Sequence, residues 1–451
     1  MTAGHGGHPQ DPVAIVGAGL AGTLLAILLA ERGLRVEVYE RRADPRTGPA
    51  GEGRSVNLGV SARGIRALRR IGLWTSLSDL TVPMRGRVVH RPGGARLFQP
   101  YGRDPQEILH SIRRNELNAR LVERAAAHPG IGLFFGARCV GLDPDQGLLS
   151  VTEAGLTRRV RASFVVGADG AFSTVRRLVQ HGRPVDYRQE FLAWGYKELT
   201  IPPGAGGRSR VPPQALNLWP ARQGLIVAHP NVDASHTATL FLPHRGEPGF
   251  TTLAGNETVT AFFTERFPGF AAIVPDLTEQ YASRPVGHLV TVGTSAWHHR
   301  DRVVLVGDAA HAVYPFYGQG MNSSLEDCLV LDECLDRHPR DRAAAFADYQ
   351  RRRKPHTDVL AALSAENFAE LRDGTRSPLR LARSRIDHAL HRLFPAAWAP
   401  LHTMVSHTTL PYGEALRRAR HQDRMLRWAG ATAVTAALTA AAVRGARKPP
   451  C

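Results

Sequence analysis

The chain has 451 residues, a formal net charge of +17 and 43% hydrophobic residues, with 44 glycines and 31 prolines spread along it. That length suggests two or three domains, and the composition excludes a disordered, collagen-like or coiled-coil protein. Four scattered cysteines (Cys139, Cys328, Cys334, Cys451) exclude a disulfide framework and argue against any metal centre; each is read as a small buried hydrophobe. Only three lysines occur, Lys197, Lys354 and Lys448, so nearly all the positive charge is arginine. Those arginines run throughout rather than along one face, which argues for solvated surface and against a nucleic-acid partner. Some attraction of anionic cofactors is also expected. The first twelve residues lack a charged segment followed by an apolar run. No stretch reaches the roughly 18–20 apolar residues of a membrane span. A cytoplasmic location is expected.

After a polar tail, Val13–Val16 is a short apolar run that reads as a strand. Gly17-Ala18-Gly19-Leu20-Ala21-Gly22 follows at once, then a helix over 23–32 ending at Gly33, then a second strand over 35–39 ending at Glu40. Pro, Gly and Thr rise between about 82 and 105 and again between about 185 and 290, where short alternating runs predict antiparallel sheet. Residues 107–128 and 323–372 read as helices, 301–306 as a buried strand, and the chain from about 375 onward as helical. The predicted fold is α/β: a Rossmann-like dinucleotide domain (11–82, 105–185, 290–360), an interleaved antiparallel β-sheet domain (83–104, 186–289) that takes the substrate, and a C-terminal helical region (361–451).

The chemistry starts at the glycine turn. Gly17, Gly19 and Gly22 permit a tight turn, close approach of backbone to a diphosphate, and close packing of helix on strand. The helix start then offers N–H groups and a positive dipole end to the phosphates, with Ala21 in its first turn. The G-x-G-x-x-G pattern alone is weak, but here it follows a strand, opens a helix and is answered by Glu40 at the end of the next strand. A carboxylate there can accept both ribose hydroxyls of an adenosine. Two later segments place an aspartate just past an apolar strand: 164–170, with Asp169, and 303–308, with Asp308. Asp308 can hold a flavin ribityl chain, and the turn over 318–322, with Gly320, Met321 and Asn322, can bring N–H groups to a flavin pyrimidine edge.

These three motifs, in this order, resemble the aromatic-ring hydroxylase class of FAD-dependent monooxygenases. The resemblance sharpens at residues 54–61 (RSVNLGVS), 83–90 (PMRGRVVH), 100–102 (PYG), 315–322 (PFYGQGMN), 400–406 (PLHTMVS) and 412–415 (YGEA), which are similar to the kynurenine 3-monooxygenase family from about residue 12 to 425. It implies tight, non-covalent FAD with NADPH or NADH as co-substrate, and hydroxylation of L-kynurenine to 3-hydroxykynurenine by O2 through a flavin C4a-hydroperoxide. For the cofactor it also implies Tyr39, Arg41, Arg42, Gly59, Arg114 and Cys139. For the substrate it implies Arg87 on the carboxylate, with Tyr101, Asn367 and Glu370. Pro315, Phe316 and Tyr317 would form an apolar wall beside the flavin. No protein side chain is required as a catalytic base, and His311 is expected to be structural.

Two positions depart from the family pattern: His402 replaces a tyrosine and Leu371 a methionine. They leave open a hydroxylase of a related aminoaryl or other aromatic substrate in natural-product biosynthesis. A non-catalytic FAD-binding protein is the more distant alternative. The Ala/Thr-rich stretch 428–443 reads as a soluble helix, with peripheral membrane contact as its alternative.

Overall fold

The computed structural model describes residues 11–47, 56–91, 93–102, 107–372, 378–394 and 397–428. It divides into two compact units, 1–375 and 376–451.

The first unit is organised by two large sheets. The strand Val13–Val16 pairs in parallel with Val36–Glu40 on one side and Phe164–Gly167 on the other. Ile131–Phe135 and Val303–Leu305 extend this sheet in parallel, and the two-residue strand His298–His299 closes it antiparallel to Val303–Leu305. Val13–Val16 and Phe164–Gly167 are apolar at every position because both faces are covered, as parallel sheets require. The helix Leu20–Glu31 is apolar all round for the same reason and buries residues on every side.

The second sheet has seven strands: Gly287–Thr294, Tyr187–Ile201, His236–Pro243, Gly224–Pro230, Leu216–Ala221, Gly86–His90 and Arg96–Pro100, in that spatial order. Its pairings are antiparallel except that Gly86–His90 runs parallel to Leu216–Ala221, the seam where two distant segments meet. One of its faces is covered by the helices Asn256–Arg266, Pro268–Ala271 and Leu277–Ser283, whose Phe262, Phe263, Phe267 and Phe270 pack with Trp219, Ile226 and Leu240. Two small three-stranded sheets complete the unit: Arg138–Asp143, Leu148–Glu153 and Leu156–Arg161; and Asn57–Val60, Leu109–Arg113 and Val82–Met84.

Several expectations are corrected. The predicted helix over 107–128 begins only at Arg114; Leu109–Arg113 is a strand between Asn57–Val60 and Val82–Met84. Leu109 and Ile112, three apart, mimic a helix, and the two partner strands outweigh that local pattern. The predicted helix over 323–372 is two helices, Gly320–Arg337 and Arg342–Arg372, broken at the segment containing Pro339. The second runs continuously through residue 361, where a separate helical region was expected to begin. The helices Pro378–Leu393, Leu401–His407 and 412–428 follow, in line with a helical tail. Among the described residues no helix is long and apolar enough to cross a membrane; residues 429–443 of the Ala/Thr-rich stretch lie outside the described set.

Candidate active site

The dinucleotide end lies at the carboxyl edge of the parallel sheet. Gly17 leaves its strand with φ +108°, and a Cβ there would meet the Ala168 carbonyl oxygen at 2.5 Å. A Cβ on Gly22 would lie 2.0 Å from the Gly17 oxygen, so the helix can approach the strand only with glycine at that position. Gly19 differs: a Cβ there meets nothing within 4 Å, and its backbone is in the ordinary extended region. The protein's own packing does not demand glycine at Gly19, which leaves the backbone there open to close approach. No side chain caps the helix it opens, so the first-turn N–H groups, including that of Ala21, face outward without an intrahelical acceptor.

Glu40 is buried (6% exposed). Its Oε2 accepts the Ala18 N–H at 3.0 Å, and Oε1 accepts both the N–H and Nε–H of Arg42 at 3.0 Å. Burial pushes its pKa up, but Arg42 and the Ala18 amide outweigh that and hold it below the ordinary carboxylate range. Asp308 stands at the head of the turn Asp308–His311, half-buried. Its carboxylate makes no hydrogen bond or ion pair among the described residues. An anion held by the fold, a second carboxylate left to an outside partner, an uncapped helix start and an open glycine fit an FAD molecule.

Other sequence-predicted residues are used differently. The Tyr39 side chain lies in the core, stacked on Phe134 at 5.1 Å and donating to Glu37 Oε2 at 2.5 Å; only its carbonyl reaches the glycine turn, accepting the Gly17 N–H at 2.8 Å. Asp169 accepts from Ser173 Oγ (2.5 Å), Thr174 N (2.6 Å) and Val175 N (3.1 Å), fastening the start of the helix Thr174–Gln180. Burial raises its pKa despite those donors. Cys139 is buried, and burial with the nearby Asp169 charge pushes its thiol up to about 12. Cys139, Cys328 and Cys334 are all free and buried. Asn322 ties two segments together: its Oδ1 accepts the Ser61 N–H at 2.9 Å, and its Nδ2 donates to the carbonyls of Gly59 (2.9 Å) and Gly318 (3.1 Å). Gly320 and Met321 open the helix Gly320–Arg337, whose start no side chain caps. Arg41, Arg42 and Arg114 are exposed.

The seven-stranded sheet carries the other group. Arg87 and Gln99 are register partners, and Arg87 Nε donates to Gln99 Oε1 at 2.6 Å. Tyr101 follows directly, buried, its N–H on the Arg85 carbonyl at 3.1 Å. Burial raises the Tyr101 hydroxyl pKa and the Arg87 charge opposes it, so the pair is within electrostatic reach. Arg87 is exposed, on a strand next to the sheet edge.

Asn367 Nδ2 donates to the Phe316 carbonyl at 2.7 Å, which fixes the Pro315–Tyr317 turn to the helix Arg342–Arg372. The Phe316 ring lies 4.6 Å from Phe368 and 5.1 Å from Phe241, and Phe368 meets Trp194 edge-on at 5.3 Å. Leu216, the register partner of Arg87, belongs to this same cluster. Phe316 of the Pro315–Tyr317 turn thus packs into an aromatic cluster with Trp194, Phe241 and Phe368, none of which a local motif marks. Glu370 and Leu371 lie on the helix Arg342–Arg372, but their side chains are outside the described set. His402 lies in the second unit, on the helix Leu401–His407, its ring 6.0 Å from that of His407.

Comparison with known proteins agrees with this layout. The family model described as "FAD binding domain" matches residues 10–195 and 288–363. The chain is 53% identical to kynurenine 3-monooxygenase of Salinispora arenicola, over 97% of this chain and 98% of the relative. It is 40% identical to the enzyme of that name from Myxococcus xanthus, over 89% and 87%. Among solved structures, 2-methyl-3-hydroxypyridine-5-carboxylic acid oxygenase shares the fold, with a TM-score of 0.67 at 21% identity over 81% of this chain and 94% of that one. The protein is thus an FAD-dependent monooxygenase that uses O2 and NAD(P)H on a small molecule, and the chain belongs to the kynurenine 3-monooxygenase family.

Proposed function

We propose that the protein hydroxylates L-kynurenine to 3-hydroxykynurenine. The observation that carries this reading is the near-complete match, at 53% identity, to a relative of that name. Bound FAD supplies the redox chemistry, passing electrons from NAD(P)H to O2; the chain's residues bind, orient and exclude water. Glu40 receives the adenosine ribose hydroxyls, while Gly17, Gly19, Ala21 and Gly22 cradle the diphosphate on the helix N-terminus. Asp308 takes the ribityl chain, and the backbone of Gly320, Met321 and Asn322 meets the pyrimidine edge. Gly59, held by Asn322, lies along the flavin. Arg41, Arg42, Arg114, Cys139 and Asp169 would line the FAD site, with Tyr39 acting from the core.

Arg87 pairs with the substrate carboxylate, and Tyr101 adds a phenol donor from a buried position. Asn367, Glu370 and Leu371 belong to the substrate's surroundings, and the family resemblance alone assigns His402 to the substrate as well. Pro315, Phe316 and Tyr317, backed by Phe241 and Phe368, keep water from the reacting ring. The ring carbon beside the aryl amine accepts the oxygen, so no protein side chain need remove a proton first.

The holoenzyme should oxidise NAD(P)H faster with kynurenine and yield a product heavier by one oxygen. No stimulation by kynurenine, with stimulation by another arylamine, would move the substrate. That second reading, a related aminoaryl substrate, is favoured by His402 and Leu371, which differ from the family's tyrosine and methionine. We place the enzyme in the cytoplasm, a reading supported by its free buried cysteines, with neither nucleic acid nor membrane as a partner.

A further inference from the structure

The residues beneath the Asp308 turn form a buried charged network with no role in the site as described. Asp327, on the helix Gly320–Arg337, is fully buried. Its Oδ2 accepts the Gly307 N–H at 3.0 Å and meets His311 Nε2 at 2.5 Å; its Oδ1 accepts Arg353 Nε at 2.7 Å. Arg353, from the helix Arg342–Arg372, also donates to Glu326 Oε2 at 2.5 Å and to Ser323 Oγ at 2.9 Å. Arg63, with a fully buried side chain, lies 3.3 Å from Glu326 on its other side.

Asp327 thus ionises under two opposed influences: burial raises its pKa, and His311 and Arg353 more than compensate. Burying charges this deeply adds little net stability compared with apolar packing. The geometry suggests another use. Gly307 sits at φ +61°, ψ −141°, a conformation open in practice to glycine. The backbone N–H that sets its orientation is the one Asp327 accepts. The next residue is Asp308, whose carboxylate is left to an outside partner.

We propose that Asp327 is a positioning residue for FAD: it grips the Gly307 N–H so that Asp308 is aimed at the cofactor before it binds. His311 and Arg353 hold the gripping carboxylate in place. Glu326 neutralises the far side of Arg353 and does not touch the turn. The same helix carries Asn322, which fixes Gly59 and Ser61, so one element sets two edges of the flavin site. This inference rests on the proposed role of Asp308.

Apoprotein of each variant is titrated with FAD by flavin-fluorescence quenching and melted without FAD. Asp327→Asn should raise the FAD Kd tenfold or more, and His311→Gln, which keeps the Asp327–Arg353 pair, several-fold. Glu326→Gln breaks a neighbouring ion pair in the same network; it should lower the apoprotein Tm yet leave the Kd within about twofold. A wild-type Kd in His311→Gln overturns the proposal, as does a Glu326→Gln shift equal to that of the turn-facing variants. Asp308→Asn separates the two readings. An unchanged Kd there refutes the role given to Asp308. A weakened Kd there, with a wild-type Kd in His311→Gln, refutes only the positioning role of the network.

Discussion

The parallel and antiparallel sheets of the first unit build their parts of the site by opposite means. In the parallel sheet the groups proposed for the ribose, diphosphate and ribityl chain come from short segments at strand ends: Gly17–Gly22 after Val13–Val16, Glu40 at the end of Val36–Glu40, Asp308 after Val303–Leu305. Parallel strands all end on one side, so local segments converge without long-range coding. In the antiparallel sheet the group is assembled across the chain. Arg87 meets Leu216 in register, and Phe316 packs on Phe241 and Phe368. Backbone geometry sets the first region, and side-chain packing sets the second. Changes at the first should therefore act on fold or cofactor, and changes at the second on substrate.

The largest effects should divide the glycine turn itself. Gly22→Ala puts a Cβ 2.0 Å from a backbone oxygen that cannot move aside, so the protein should lose several kcal/mol or fail to fold. Gly19→Ala meets open space and should leave the apoprotein Tm nearly unchanged while FAD binding falls sharply. Melting curves with and without FAD read both. Equal loss of fold in the two variants would erase the distinction between packing and ligand glycines. Glu40→Ala removes a charged partner of the ribose hydroxyls, worth about 1.5–3 kcal/mol, and should raise the FAD Kd roughly ten- to hundredfold with the KM for substrate unchanged.

Arg87→Met should do the reverse. A charge-assisted hydrogen bond of the same size predicts a KM for kynurenine raised roughly ten- to hundredfold, with FAD content unchanged. Steady-state kinetics at saturating NAD(P)H test this, and a normal KM would place the carboxylate elsewhere.

Acid should tell the sheets apart more gently. Burial pushes the His236 pKa down to about 4, against the Pro212 carbonyl and Asp233. The unfolded chain protonates near pH 6.5, so the neutral buried form stabilises the fold above that pH. This contribution declines from about pH 6.5 and is lost as pH reaches 4. Glu40 works lower: held below the ordinary range, it stabilises the fold above about pH 4, and that contribution disappears as pH drops through its lowered value. His229 is pushed down to about 4 in the same way, so urea unfolding should show a slope between pH 6.5 and 4 that His236→Phe reduces without abolishing and Glu40→Gln leaves intact.

The smallest effect expected is at His402. An imidazole can lose its charge near neutrality where a phenol cannot. If His402 meets the substrate, the KM should change several-fold between pH 6 and 8.5, and His402→Tyr should flatten that change. A flat KM from pH 6 to 8.5 in both proteins would remove His402 from the substrate site.

Legibility in the sequence follows the same contrast. The glycine turn, Glu40 and Asp308 could be read because each lies beside its own strand. Asp169 and Asn322 stand out in the motifs, but the hydrogen bonds they make run to backbone of the fold itself, which no spacing reveals. Tyr39 and Glu40 adjoin in sequence but serve different ends: the Tyr39 ring stacks on Phe134 in the core, and Glu40 caps the glycine turn. The aromatic cluster of Trp194, Phe241 and Phe368 is not legible, since its members lie on separate elements far apart in sequence and meet only through tertiary packing. The strand Leu109–Arg113 looks helical in sequence because its two partners, at 57–60 and 82–84, decide its state.

The most direct measurement of the central claim is isotope incorporation. Holoenzyme turning over L-kynurenine with NAD(P)H under labelled O2 should give 3-hydroxykynurenine bearing one oxygen atom from the gas, at the ring carbon next to the amine. Oxidised NAD(P)H with hydrogen peroxide as the only oxygen product, or label drawn from water, would contradict it.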